Sequence, residues 1–163
     1  MEIAAALDVL KALAFFWRRP QVRVTYRLGA KGSRSGSSGN LIECEWKGVL
    51  LLYNSSPHDV FDLLRELSPN RPLLPLENLE DTHLKSGGKI ELRLDVKREY
   101  PRDVVEAAGH NRFVKLLPEE LASFQCRVSY KNAAGCRFYS LYRKTLDTEQ
   151  CSFHFWRPKW AIS

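Results

Sequence analysis

Segments in which apolar and polar residues alternate recur from residue 22 to the end of the chain. The strictest is Lys89–Val96, in which every second residue is Ile, Leu or Val and the others are charged. A period of two places alternate side chains on opposite faces of an extended strand, so that one face is buried and the other solvated. Clusters of Gly, Pro, Asn and Ser separate these segments, and helices do not alternate with them. The sequence therefore predicts a mainly β fold, with two antiparallel sheets packed as a sandwich.

The other predicted strands are Val22–Leu28, Leu41–Tyr53, Val60–Leu67, Phe124–Tyr130 and Cys136–Tyr142. The longest of them needs a bulge, which we place near Gly48. The last two form a hairpin in which Arg127 faces outward. Residues 101–108 begin with Pro and are followed by Gly109, which is typical of a short helix. A second helical turn is predicted at residues 118–122.

Residues 29–40 contain Gly, Ser, Asn and two cations, Lys31 and Arg34, but no large apolar side chain. This composition predicts a flexible loop between the first two strands. The phosphate-binding spacing G-x-x-x-x-G-K-[ST] is absent, and no helical pattern follows the loop. The glycines therefore do not indicate a nucleotide cradle.

Residues 1–19 are predicted to form a separate apolar helix that ends before Pro20. The apolar run is about fifteen residues long, whereas a helix needs about twenty to cross a bilayer. Asp8 and Lys11 give the helix a narrow polar stripe. Its wide apolar face requires a membrane surface, a partner, a second copy, or the body of its own β domain at 20–163. The candidate contact residues are Leu7, Leu10, Leu13, Phe16, Trp17, Arg18 and Arg19.

The chain has 163 residues, enough for one domain and an appendage. Its formal charge of +6 comes from 25 Lys and Arg against 19 Asp and Glu. Basic and acidic residues are interleaved along most of the sequence, which favours a solvated surface of mixed charge over a charge-driven nucleic-acid binder.

The four cysteines form no CxxC pair and follow no cleavable signal peptide, which favours a reducing compartment and free thiols. Whether Cys126 and Cys136, on either side of the predicted hairpin turn, form a disulfide stays open.

No spacing in the sequence is typical of a catalytic or metal site. The four histidines are isolated, and His154 is the one that lies within three residues of a cysteine, Cys151. His58 and Asp59 are candidates for an orienting pair, but Ser-Pro-His-Asp is equally a turn whose Asp bonds its own backbone. We therefore expect no enzyme activity, no metal and no cofactor.

The C-terminal segment Phe153–Trp160 combines aromatic residues with Arg157 and Lys159. Two interpretations stay open. The segment either stacks on bases and contacts phosphate, or packs its aromatic rings against the edge of the sandwich. The candidate anion-binding residues of the whole chain are Lys31, Arg34, Arg157 and Lys159.

The helix exit Arg18–Pro20, the segment 84–94 and the segment 128–141 resemble a loose class of small bacterial proteins. These proteins join a hydrophobic N-terminal helix to an immunoglobulin-like β-sandwich. The resemblance covers roughly residues 3–145 and rests on pattern rather than on an invariant motif. It implies an antiparallel two-sheet, immunoglobulin-like sandwich with an N-terminal apolar helix and one or two short helices in the connections. It implies no activity.

The leading functional hypothesis is a non-enzymatic interaction or accessory module. Residues 1–19 would attach it to a membrane surface or a partner protein, in the cytoplasm or peripheral to the inner membrane. The alternative is a nucleic-acid or nucleotide-binding sensor that uses residues 29–40 and the basic, aromatic C-terminus.

Overall fold

A computed structural model describes residues 19–36, 39–68, 79 and 82–160. These ranges contain the strands β1 (Val22–Ser35), β2 (Leu41–Asn54), β3 (Phe61–Leu67), β4 (Lys89–Pro101), β5 (Phe124–Lys131), β6 (Arg137–Lys144) and β7 (Glu149–His154). Between β4 and β5 lie the short helices α1 (Arg102–Ala108), α2 (Arg112–Lys115) and α3 (Glu119–Ala122), with a 3-10 turn at Gly109–Asn111. The predicted helix at residues 1–19 lies outside the described residues, apart from Arg19.

Two antiparallel sheets share one hydrophobic core. The first has the order β1-β2-β4, and the second has the order β3-β5-β6-β7. The alternating apolar residues of each strand point into the space between the sheets, where Trp46 and Leu50 of the first sheet and Val128 and Tyr130 of the second are almost fully buried. The prediction of a mainly β fold with two antiparallel sheets is confirmed.

The strand order differs from that of the immunoglobulin constant domain. In that domain the fifth strand lies beside the second, within the first sheet. Here β5 lies between β3 and β6, and β2 pairs with β1 and β4. The described strands therefore have the predicted two-sheet architecture without this particular order.

Side chains of the second sheet satisfy the free edge of β1. The backbone amide of Val22 donates to the hydroxyl of Tyr130 at 3.3 Å, and the amide of Val24 donates to the thiol sulfur of Cys151 at 3.4 Å. The hydroxyl of Ser140 donates to the carbonyl oxygen of Val22. Unpaired backbone groups at a strand edge need such partners, so these contacts close one side of the sandwich.

The prediction of a flexible loop at residues 29–40 is wrong for most of that range, because β1 continues through Gly and Ser residues to Ser35. Antiparallel pairing with β2 supplies the backbone hydrogen bonds that a Gly/Ser segment lacks as an isolated chain. The register shifts between Leu28 and Lys31. This shift lies opposite the region around Gly48, so the bulge is close to its predicted position but belongs to β1.

The predicted short helix and hairpin are confirmed. Helix α1 follows Pro101 and ends at Gly109, whose φ of 63° favours glycine. Strands β5 and β6 pair across a turn, and all four cysteines are free. Cys126 pairs in register with Tyr142, within β5, whereas Cys136 is exposed in the turn.

Within the described ranges, no helix combines the length and apolar character needed to cross a membrane.

Candidate functional site

The outer face of the first sheet carries a patterned set of exposed and half-buried side chains, which we call the cationic face. The odd-numbered residues of β1 up to Gly29, of β2 from Lys47 onward and of β4 up to Asp95 form it, because the even-numbered residues there point into the core. Its members are Arg23, Thr25, Arg27 and Gly29 of β1, Lys47, Val49, Leu51 and Tyr53 of β2, and Lys89, Glu91, Arg93 and Asp95 of β4.

Apolar side chains of the central strand are flanked by cations in this face. Val49 lies in register between Arg27 on β1 and Arg93 on β4. Both arginines are exposed, whereas Val49 and the next outward residue, Leu51, are half-buried. Directly paired residues on adjacent strands lie about 4.5–5.5 Å apart. The two guanidinium groups therefore border an aliphatic stripe.

The row at Tyr53 repeats this arrangement with an aromatic centre. Tyr53 pairs with Arg23 on one side and Lys89 on the other. The Nζ atom of Lys89 lies 5.7 Å from the centroid of the Tyr53 ring, within cation–π range. The listed members include five Lys or Arg and two carboxylates, a net charge of +3. Beyond them the same face of the sheet carries Glu43 and Glu45, whose carboxylates pair with Arg34, Lys47 and Lys97. Such a surface attracts acidic partners.

A shallow open cavity of about 400 Å³ interrupts the cationic face. We call it the Gly29 notch, because Gly29 contributes no side chain there. Its walls are the outward side chains of Lys47, Val49, Arg93 and Asp95. The notch combines a half-buried aliphatic surface with the cation of Arg93, the carboxylate of Asp95, and Lys47, whose Nζ atom pairs with Glu45 at 3.5 Å. It is therefore suited to a small group that is both apolar and negatively charged.

Most of the predicted helix contacts cannot be placed. Leu7, Leu10, Leu13, Phe16, Trp17 and Arg18 lie outside the described residues. Arg19 is described, and its guanidinium carbon lies 5.6 Å from the centroid of the Phe155 ring. This contact joins the start of the described chain to the segment after β7.

The four predicted anion-binding residues lie on β1 and in the segment after β7 and form no common site. Lys31 and Arg34 lie on β1, where Arg34 forms an ion pair with Glu43 at 2.7 Å. Arg157 follows β7 and contacts Glu66 on β3 at 3.0 Å. Lys159 is exposed in the same C-terminal segment. Because Arg34 and Arg157 already have carboxylate partners, neither is a ready phosphate ligand.

The C-terminal segment packs on the outer face of the second sheet, which favours the packing interpretation. Arg127 on β5 donates to the carbonyl oxygen of Pro158 at 2.7 Å and forms an ion pair with Glu66. The ring centroid of Trp160 lies 4.4 Å from the Arg127 guanidinium carbon. Arg127 does point away from the core, as predicted. It is nevertheless only 4% exposed, because the segment covers it.

Asp59 lies against His83, whereas the neighbouring His58 was its candidate partner in the sequence. Its carboxylate accepts the Ser86 amide at 2.9 Å and lies 3.1 Å from Nε2 of His83, whose ring stacks on Phe61. The Ser86 hydrogen bond, followed by that of His83, holds the pKa of Asp59 below its usual range. Among the described side chains, no group of three His, Cys, Asp or Glu residues is arranged to hold a metal ion.

Comparison with models of known protein families and with curated protein sequences finds no match to this chain. The cationic face is therefore the candidate site on its geometry alone. Sequence reasoning missed it, although the strict alternation of Lys89–Val96 was a visible signal. The mixed charges of that strand indicated only a solvated face. Its register with β2, which places Arg93 beside Val49, is not visible in the sequence.

Proposed function

We propose that this protein is a non-enzymatic interaction module whose cationic face binds an acidic surface of a partner protein. The observation that carries the proposal is the row in which Val49 lies between Arg27 and Arg93. Burial of the aliphatic stripe would contribute free energy of association, while the flanking cations would orient an acidic partner and speed its encounter. Residues 1–19 remain proposed as a second attachment, to a membrane surface or to the same partner.

The composition of the face favours a protein over a nucleic acid. Single-stranded nucleic acids bind grooves in which several aromatic side chains stack on successive bases. The cationic face has one aromatic residue, Tyr53, and Lys89 already lies over its ring. Glu91 and Asp95 would repel a phosphate backbone, whereas a protein partner can pair with them. The predicted sensor role is therefore the second candidate.

The size of the face suggests a weak or transient interface. Three strands about 4.8 Å apart and seven residues of about 3.3 Å rise give a patch of roughly 15 by 20 Å with its side chains. Stable interfaces bury about 800 Å² on each partner. We therefore expect the face to bind with modest affinity alone, and more tightly when a second attachment raises the effective concentration.

Binding to defined probes tests the proposal. The full chain is titrated with a short peptide of Glu and Leu, its Gln and Leu counterpart, single-stranded oligothymidylate, and phosphatidylglycerol vesicles. The double variant Arg27→Glu with Arg93→Glu is compared with a control double variant, Lys85→Glu with Lys115→Glu. Both of these lysines are exposed and lie outside the face. Both double variants change the net charge equally.

We expect the acidic peptide to bind, and the face variant to lose at least about tenfold in affinity, equivalent to about 1.4 kcal/mol. The control variant should change it less than about twofold. Equal losses in both variants would mean non-specific attraction and would contradict the proposal. Tighter binding of oligothymidylate, lost in the face variant, would favour the sensor.

A further inference from the structure

We infer that the Gly29 notch is the anchor point of the cationic face and takes one carboxylate-bearing side chain, such as Glu, from the partner. This inference rests on the proposed function and specifies which chemical group the face recognises. Interfaces commonly concentrate their binding free energy in a few side chains that enter central pockets. The notch is a pocket that contains the Val49 row and extends to the row of Lys47 and Asp95, at the end of the cationic face.

The backbone at Gly29 does not itself require glycine. Its φ lies outside the left-handed region, and an added Cβ would meet one atom within 4 Å, the Lys47 carbonyl oxygen at an ordinary 3.4 Å. By contrast, a Cβ on Gly48 would meet the Arg27 carbonyl oxygen at 3.0 Å and the Leu94 side chain at 3.2 Å. Close packing accounts for Gly48. The effect of glycine at position 29 is to leave the notch open.

The walls of the notch match the parts of a glutamate side chain. The half-buried surface of Val49 offers an apolar contact for the methylene groups. Arg93 is exposed beside it, and its planar guanidinium can bind a carboxylate in a two-point contact. Lys47 lines the same wall as Val49, and its Nζ atom already lies 3.5 Å from the Glu45 carboxylate. A carboxylate seated here would therefore pair mainly with Arg93.

Asp95 restricts which anions the notch accepts. It pairs in register with Lys47 and lines the same cavity. With Glu45 on Lys47, Arg93 is the cation of the walls that forms no ion pair among the described residues, which suits a single carboxylate better than a doubly charged phosphate. Repulsion between Asp95 and additional negative charge would act against phosphate groups, a common source of specificity. We therefore assign the notch to a carboxylate of an acidic protein segment.

Filling the notch without changing any charge tests this inference separately from the proposed function. Gly29→Val places a β-branched side chain in the notch and keeps every cation of the face. Gly32→Val is the matched control, because it lies on the same strand and an added Cβ there has one atom within 4 Å, Glu45 Oε2 at 4.0 Å. Both variants are titrated with the Glu and Leu peptide, and amide chemical shifts of the wild-type chain are followed.

We expect Gly29→Val to weaken peptide binding about tenfold and Gly32→Val to change it less than about twofold. Amide signals of Lys47, Val49 and Arg93 should shift most when the peptide is added to the wild type. If Arg27→Glu with Arg93→Glu loses binding but Gly29→Val does not, the face is the site and the notch is not its anchor.

If neither change affects binding, the proposed function fails together with the inference. Two further measurements distinguish a filled notch from a destabilised fold and from general anion binding. Gly29→Ala fills less of the notch, so we expect it to lose an intermediate amount of peptide affinity. The inference would be overturned if only Gly29→Val lost affinity, its unfolding midpoint fell, and the peptide caused no chemical-shift changes at the notch. Inorganic phosphate is titrated in parallel. Shifts at the notch with phosphate that equal those with the peptide would overturn the assignment to a carboxylate.

Discussion

The guanidinium carbon of Arg127 lies 4.4 Å from the ring centroid of Trp160, so a cation on the outer face of β5 is covered by the C-terminal segment. Its Nη atoms form an ion pair with Glu66 and a hydrogen bond to the Pro158 carbonyl oxygen, whereas its Nε is buried without a hydrogen-bond partner in the described structure. A charge removed from water in this way is tolerated because several partners replace its hydration. The segment after β7 therefore belongs to the folded domain.

Trp160→Ala should lower the free energy of unfolding by about 1–2 kcal/mol, because the cation–π contact is lost and the Arg127 guanidinium becomes open to water. Urea denaturation monitored by circular dichroism measures this change. The control is Trp156→Ala, since Trp156 is 83% exposed, and we expect a change below about 0.5 kcal/mol. Equal effects of the two substitutions would contradict a specific role for Trp160.

Asn54→Ala should lower the free energy of unfolding by about 2–3 kcal/mol, because its fully buried amide joins three segments. Its nitrogen donates to the carbonyls of His58 at 2.7 Å and Leu84 at 3.2 Å, and its oxygen accepts the Ser56 amide. Asn132→Ala in the hairpin turn is the matched control, with an expected loss of about 1 kcal/mol or less. Thermal or urea unfolding of both variants decides the comparison. A smaller loss for Asn54 than for Asn132 would refute the prediction.

One thiol of the four should react rapidly with Ellman's reagent at neutral pH. Cys136 is exposed, whereas Cys44 and Cys126 are buried and Cys151 is half-buried. Burial raises the pKa of Cys126 to about 12, so its reactive thiolate is suppressed in the folded state. We expect Cys126 to react only as the protein unfolds, and Cys136→Ser to abolish the fast phase. A fast phase that survives Cys136→Ser would show that a second thiol is accessible.

Tyr26 should make the protein less stable in alkali. Burial, and secondly the Glu149 carboxylate, raise the pKa of Tyr26 from 10.0 to about 12. The unfolded chain therefore releases this proton near pH 10 while the folded chain retains it. The contribution to stability is complete below pH 10 and is lost as the pH rises toward 12.

Tyr26→Phe should make the decline in unfolding free energy between pH 10 and 12 shallower than in the wild type. Chemical denaturation at a series of pH values measures the two slopes. Tyr53→Phe, at a half-buried position of the cationic face, controls for the substitution itself. Identical slopes for wild type and Tyr26→Phe would show that Tyr26 does not contribute to this pH dependence.

Patterns of neighbouring residues were enough to predict several elements. The alternation in Lys89–Val96 lies within β4, and the pattern around the hairpin matches β5 and β6. Pro101 and Gly109 bound α1 closely because each acts through its own backbone geometry. Such signals act over a few residues and need no knowledge of the rest of the chain.

Contacts between distant residues account for the loop prediction that was wrong and for contacts that the sequence left open. Gly and Ser after Leu28 have a low strand propensity, yet β1 extends to Ser35 because β2 pairs with it. The partner of Asp59 is His83, which is 24 residues away. The cover over Arg127 comes from Pro158, 31 residues along the chain. Local propensity carries no information about such pairings.

The sequence by itself determined that the described part of this chain folds mainly as antiparallel β-structure, because the period of two specifies which side chains can be buried together. Only the tertiary structure decided which charged, solvated residues of one strand lie beside which residues of the adjacent strands. The register of β2 with β1 and β4 brings Arg27 and Arg93 to either side of Val49. That register depends on hydrogen bonds between segments distant in sequence, so the cationic face and its notch exist only in the folded sheet.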